Sequence, residues 1–236
     1  MPLFYAPVFI PAFLVVMLEM TEVVALVFAL SAGGPSLRTT IVGALSGVAL
    51  VGGIGLVAGA ALDRLPSIWL LGPSAIVLAG FGVFLFRGTV RSYRRARSPN
   101  SGSSAPPKDA HPVVQFGGGF SVGAIEATEA VIVLVALAAP GYGLTTLVGA
   151  VVAGIVLVAL ALVLHGQIRR IKVPLLRLGA ASLLFTFAIF WGGEALGVPW
   201  PGQDLVLLPL FAGVLLTVRA AVGAVLGPTL PVETKS

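Results

Sequence analysis

The 236-residue sequence has no cysteine, only two histidines and only 10% charged residues. Without cysteine there is no disulfide framework, no thiolate metal site and no thiol nucleophile. A soluble domain carries about 25% charged residues on an apolar share of roughly 45–50%. A chain that is 58% hydrophobic is therefore not a soluble globular enzyme, a disordered tail or a nucleic-acid-binding module. A net charge of +5 would ordinarily suggest nucleic acid. Here the basic residues sit between long apolar runs, where the positive-inside rule accounts for them. No nucleic-acid partner is expected.

What the chain has is apolar length. A spanning helix needs about 20 apolar residues, and seven such stretches fall at about residues 8–32, 39–62, 67–87, 115–138, 144–166, 174–193 and 204–224. Turn chemistry separates them: Gly33-Gly34-Pro35, Asp63-Arg64-Leu65-Pro66, Pro140-Gly141 and Pro199-Trp200-Pro201-Gly202. The expected fold is an all-α polytopic membrane protein embedded in a lipid bilayer. Its organisation is a first three-helix repeat (1–88), a flexible basic linker (89–112), a second repeat (113–197), and a seventh helix with a short tail (198–236). The linker is flexible by composition, from Ser98 to Pro107. Its basic part, Arg91 to Arg97, is expected at anionic headgroups. The first apolar run is too long for a signal h-region and has no Lys or Arg before Arg38, so it reads as a span.

Charge sets the orientation. Twelve Lys and Arg fall on one side of the seven spans, Arg177 among them, and only Arg64 on the other; Arg219 lies within the seventh span. This predicts an outside N-terminus and a cytoplasmic C-terminus, in a plasma membrane. Trp69, Trp191 and Trp200 would then form a belt at the outer interface.

The two halves repeat. Leu18-Glu19-Met20-Thr21-Glu22-Val23-Val24 answers to Ile125-Glu126-Ala127-Thr128-Glu129-Ala130-Val131 at an offset of 107. Thr39 to Ala44 answers to Thr145 to Ala150, and Phe81 to Phe84 to Phe187 to Phe190, at 106. A unit of three spans is odd, so the second copy enters the membrane upside down. Secondary transporters are often built this way, with substrate sites near the midplane between repeats.

Four of the nine acidic residues, Glu19, Glu22, Glu126 and Glu129, fall mid-span. Each costs about 2.5–3.5 kcal/mol on insertion scales, and no Lys or Arg is expected at their depth. Residues three apart on a helix lie about 4.5 Å apart along the axis and on one side of it. The repeat brings the second pair opposite the first, giving a four-carboxylate site with Thr21 and Thr128 as candidate hydroxyl ligands. Oxygen-only ligation suits hard cations, and cation binding is expected to displace protons. The bland alternative is that these acids bond to Ser, Thr or backbone on neighbouring helices and hold the bundle together. Two repeated pairs favour the site.

Other features are more ordinary. Glu194 ends span six, as a cation recruiter or a solvated helix end. His165 and His111 are expected at an interface and in solvent. Gly43-x-x-x-Gly47, Gly55-x-x-x-Gly59 and Gly119-x-x-x-Gly123 permit close helix contact. The Thr39-Thr40 and Thr145-Thr146 pairs are expected to cap their helices.

The stretch Phe13 to Val27, with Glu19 and Glu22 at its centre, resembles the first span of the oxidase-coupled iron permeases. That family carries Arg-Glu-x-x-Glu in spans one and four of seven, with the N-terminus outside. Leu18 and Ile125 stand where the family has Arg, and Leu71-Gly72 where it has an acid before a Gly. The resemblance implies that Glu19, Glu22, Glu126 and Glu129 bind metal, with Glu194 at a position where the family often has an acid, and it implies an oxidase partner. The repeated motif also resembles that of Ca²⁺/Mn²⁺ exchangers of the lysine-exporter superfamily. In that reading Glu22 and Glu129 replace an Asp, and Thr21 and Thr128 a Gly. The expectation is a non-enzymatic metal-cation transporter, proton-coupled or not, with no cofactor beyond its cargo; the remaining partner expectation is a homo-oligomer. A membrane-embedded metal enzyme or a non-transporting scaffold is the alternative class.

Overall fold

The computed structural model describes residues 5–31, 37–62, 64–97, 112–163 and 173–226. They form seven α-helices: α1 (Ala6–Ser31), α2 (Leu37–Leu62), α3 (Ser67–Arg97), α4 (Pro112–Ala138), α5 (Gly143–Val163), α6 (Val173–Ala195) and α7 (Leu207–Leu226), the last preceded by a 3₁₀ turn at Gln203–Val206. All seven are long and apolar enough to cross a membrane. Helices suit that solvent because each one satisfies its backbone hydrogen bonds internally.

The ends agree with the sequence expectation to within a few residues except at α3. This helix continues through Arg87, Arg91 and Arg94 to Arg97, so the first residues of the expected linker are helical. Residues 98–111, with His111, and 164–172, with His165, lie outside the described residues.

Neighbouring helices pair in a pattern that an exchange of the two halves preserves. α1 packs on α5 and α2 on α4; α1 packs on α4, α3 on α6, and α3 and α6 each on the other half's first helix. Directions follow the same rule. Leu30 near the end of α1 meets Gly118 near the start of α4, so these two run antiparallel. So do α3 and α6, through Ala75 with Gly192 and Gly82 with Phe185. α2 and α4 run parallel, with Gly119 against Thr40 and Gly123 against Ala44. α7 rests on α6 and α3.

Glycine decides the tightest crossing. A Cβ on Gly43 would stand 2.3 Å from the Phe116 carbonyl oxygen, on Gly47 2.4 Å from that of Phe120, and on Gly123 2.1 Å from that of Ala44. Backbone touches backbone there, the close approach that small-x-x-x-small spacing allows. The third expected glycine pair is only half used. Gly55 admits the Val131 side chain, whereas a Cβ on Gly59 would meet nothing within 4 Å.

The main core gathers Val8, Val15, Leu18, Leu78, Val133, Leu184, Phe187 and Trp191 from α1, α3, α4 and α6. Two expectations change here. Trp191 is not part of an interfacial belt: it is 1% exposed, edge-on to Phe187 and stacked with Tyr142. Trp200 folds back so that its indole N–H donates to the Phe190 carbonyl at 3.0 Å, leaving Trp69 as the exposed tryptophan. Thr145 does cap a helix, but not its own. Its Oγ1 accepts from the Tyr5 backbone N–H at the start of α1, 140 residues away. Such a bond satisfies a donor that a helix N-terminus leaves open.

Candidate metal site

Glu19 and Glu22 stand mid-way along α1, Glu126 and Glu129 mid-way along α4. Because the two helices run antiparallel, Glu22 and Glu129 lie one turn to opposite sides of the shared level of Glu19 and Glu126 along the bundle. Three of the four converge: Glu19, Glu126 and Glu129 each place a carboxylate oxygen within 4.8 Å of the others. Glu19 is 2% exposed, and its Oε1 has no hydrogen-bond partner among the described residues. The Glu126 carboxyl lies within hydrogen-bonding reach of Glu19. Two carboxylates so close need a proton or a cation between them.

Glu22 is held apart, and here the sequence expectation fails. The expectation was that no Lys or Arg reaches the depth of the acids, with Arg177 left in a basic loop. Arg177 instead lies inside α6 and forms an ion pair with Glu22. Its Nε donates to Glu22 Oε1 at 2.9 Å, its Nη2 bonds both carboxylate oxygens, and its Nη1 donates to Ser92 Oγ on α3 at 3.2 Å. The long side chain of a residue one turn into α6 reaches inward between helices rather than outward to an interface.

The candidate hydroxyls do not join the site. Thr21 Oγ1 donates to the Met17 carbonyl at 2.6 Å and Thr128 Oγ1 to the Ala124 carbonyl at 2.7 Å, each the local back-bond that competes for such side chains in helices. Thr128 is exposed on the outer surface of α4, and neither threonine lines the acidic cavity. Glu194 sits in the last turn of α6, partly buried and remote from the cavity. It shares the far end of the bundle with Asp204, Tyr5 and Tyr142. Burial first, then the nearby Asp204 carboxylate, push the Tyr5 phenol well above its ordinary range, and Tyr142 shifts the same way for the same reasons.

All four acids line one cavity of about 320 Å³, together with Phe84, Leu85, Arg87, Gly88, Arg91 and Ser92 of α3 and Arg177 of α6. The α3 residues belong to its C-terminal half, so the cavity extends from the acids toward that end of the bundle. Toward the other end, Val15 and Leu18 on α1 and Val133 and Leu137 on α4 belong to the packed core with Phe187 and Trp191.

Seven membrane-crossing helices around an internal cluster of carboxylates define a membrane metal-ion transporter. The family model for the ferrous iron uptake permease, iron-lead transporter family matches residues 5–222. The chain belongs to that family. Searches of curated proteins and of solved structures find no match.

Arg177, Ser92 and Gly88 were not picked out from sequence. A weak signal existed for Arg177: it lies three residues inside the expected sixth span, where a charge needs a partner.

Proposed function

We propose that Glu19, Glu126 and Glu129, joined by Glu22, hold the transported cation. The observation that carries this is the convergence of three carboxylate oxygens within 4.8 Å around a buried Glu19 oxygen that lacks a partner. A cation supplies what the cluster lacks, and oxygen ligands select a hard or borderline ion. The family's description makes Fe²⁺ the leading cargo. The two halves are related by a pseudo-two-fold axis in the membrane plane, and the cation sits near that axis, as in other inverted-repeat transporters. By charge asymmetry the N-terminus is outside and the cavity faces the cytoplasm. In that orientation the packed layer over the acids is the closed outer gate. Cation binding displaces protons from the cluster, which links transport to the proton gradient.

The test is metal-dependent thermal stabilisation of the purified protein against Fe²⁺, Fe³⁺, Mn²⁺, Ca²⁺, Mg²⁺ and Zn²⁺. A ligand at 100 times its Kd stabilises by about 2.7 kcal/mol. One of these ions is expected to stabilise the protein, and Glu19→Gln/Glu126→Gln to remove the effect. Stabilisation by none, or stabilisation that survives in the double variant, rejects the site. Metal uptake into proteoliposomes that neither moves protons nor responds to a pH gradient rejects the coupling.

A further inference from the structure

The cavity already contains a cation that belongs to the chain. The Arg177 guanidinium is tied to α1 through Glu22 and to α3 through Ser92, and α3 is shaped to admit it. A Cβ on Gly88 would stand 3.2 Å from Arg177 Nη1, so glycine leaves room where another residue would crowd the group. Both members of the pair are only partly buried, with side chains 21% and 19% exposed, and both line the cavity. The pair can therefore open without stranding either charge in a dry core.

Its position matters as much as its bonds. Glu22 lies one helical turn from Glu19 toward the cavity's extended side, so an ion moving between that side and the three acids passes the pair. Exchange of the two halves carries Glu22 to Glu129 and Arg177 to Leu71, at offsets of 107 and 106. Leu71 is packed against the main core. Among the described residues the tether exists at one end of the site and has no counterpart at the other.

We propose that Arg177 is a tethered competitor for the transported cation. It holds Glu22 when the three-acid site is empty, gives it up when an ion arrives, and reclaims it as the ion leaves toward the cavity. A guanidinium stays protonated, so Arg177 cannot resolve its repulsion from an incoming metal ion by losing a proton. It must let go of Glu22 and fall back on Ser92. The same repulsion lowers the affinity of the loaded state and so speeds release. This inference rests on the four-acid site proposed above.

The experiment measures Fe²⁺ binding under anaerobic conditions and Fe²⁺ flux in proteoliposomes, for the wild type, Arg177→Gln, Glu22→Gln and the double variant. Arg177→Gln is expected to bind Fe²⁺ about tenfold tighter, the scale of losing one charge-assisted bidentate competitor, and to turn over about tenfold more slowly. Arg177→Lys keeps the charge without the fork and should fall between. In the Glu22→Gln background the Arg177 substitution should tighten binding by a clearly smaller factor, because the competition for Glu22 is gone and only the guanidinium's repulsion of the ion is left to remove. If Arg177→Gln fails to fold, Arg177→Met, which keeps the apolar length of the side chain without its charge, should tighten binding by a similar factor. Wild-type binding with unchanged or weaker binding in Arg177→Gln, or in Arg177→Met where that variant stands in, overturns the competitor alone. So does a gain that is as large without Glu22 as with it. Absence of Fe²⁺ binding in the wild type and every variant overturns the four-acid site and the competitor with it.

Discussion

The two halves share their acids and differ in how they are joined. Where α4 crosses α2, Gly43, Gly47, Gly119 and Gly123 bring backbone onto backbone. The equivalent crossing of α1 on α5 has Gly149 and Ala153 facing α1, while Ala12 and Val16 stand where α4 has Gly119 and Gly123. There a Cβ on Gly149 would meet the Ala12 Cβ and the Phe9 carbonyl oxygen at 3.0 Å, and Val16 packs with Ala153 and Leu157. One joint is backbone on backbone along its length, and the other is more open and partly cushioned by side chains. The acids of α4 are carried on a helix locked to α2. Those of α1 are carried on a helix whose contacts with α5 are looser and in part side-chain contacts, able to adjust by rotamer changes. If the halves move against one another during transport, α1 is the element built to shift.

The largest expected effect falls on the locked joint. Gly123→Ala drives a methyl into the Ala44 backbone, which cannot turn aside as a side chain can. A cost of about 3 kcal/mol or more corresponds to a melting point lower by about 6–12 °C. Gly149→Ala, the matching change at the cushioned joint, should cost about 1 kcal/mol. Thermal melts of the two purified variants check this, and equal losses would erase the distinction between the joints.

Next comes the pair of outer acids. Glu22→Gln removes the partner of Arg177 and leaves a partly buried guanidinium with Ser92 alone. Breaking a fully buried pair costs about 3–5 kcal/mol and an exposed one less than about 1, so a pair roughly one-fifth exposed should cost about 2. Glu129→Gln removes one of three crowded like charges and has no cation to strand. Its stability without metal should be unchanged or higher, while its metal-dependent stabilisation falls. Melts with and without Fe²⁺ separate these outcomes. A Glu129→Gln variant destabilised without metal as strongly as Glu22→Gln would show the two acids to be equivalent after all.

Much of this was legible in the sequence, for physical reasons. Seven spans follow from apolar length, because lipid leaves the backbone almost no choice but helix. The four acids stand out because each is expensive at its depth. What was not legible depended on contacts between distant segments. Arg177 and Glu22 are 155 residues apart, and nothing local tells an arginine that snorkels from one that turns inward. Trp191 shows the same limit: a tryptophan near a helix end suits a belt, yet α6 lies deep enough that its indole became core. Thr145 reads from sequence as a cap of its own helix because local capping is the commoner use of that residue, whereas its hydroxyl serves α1. Their place between the paired acids makes Thr21 and Thr128 look like hydroxyl ligands, and their back-bonds to the preceding turn are a local alternative that sequence also offers.

The smallest expected effect concerns those threonines, and it sharpens the comparison between the acids and their neighbours. Each half repeats Glu-x-Thr-Glu, so repetition alone cannot say whether the threonine is kept for ligation or for the helix. Geometry separates the two. Thr128 faces outward and its hydroxyl is spent on the Ala124 carbonyl, so Thr128→Ala removes a weak local bond and adds some helix propensity, a net change within about 0.5 kcal/mol. Metal-dependent stabilisation and Fe²⁺ flux should match the wild type. Thr128→Val, which keeps the shape without the hydroxyl, should match as well. A loss of metal response in both variants would mean that α4 rotates during transport and brings Thr128 to the ion. The site would then draw on the whole repeated motif rather than on its acids alone.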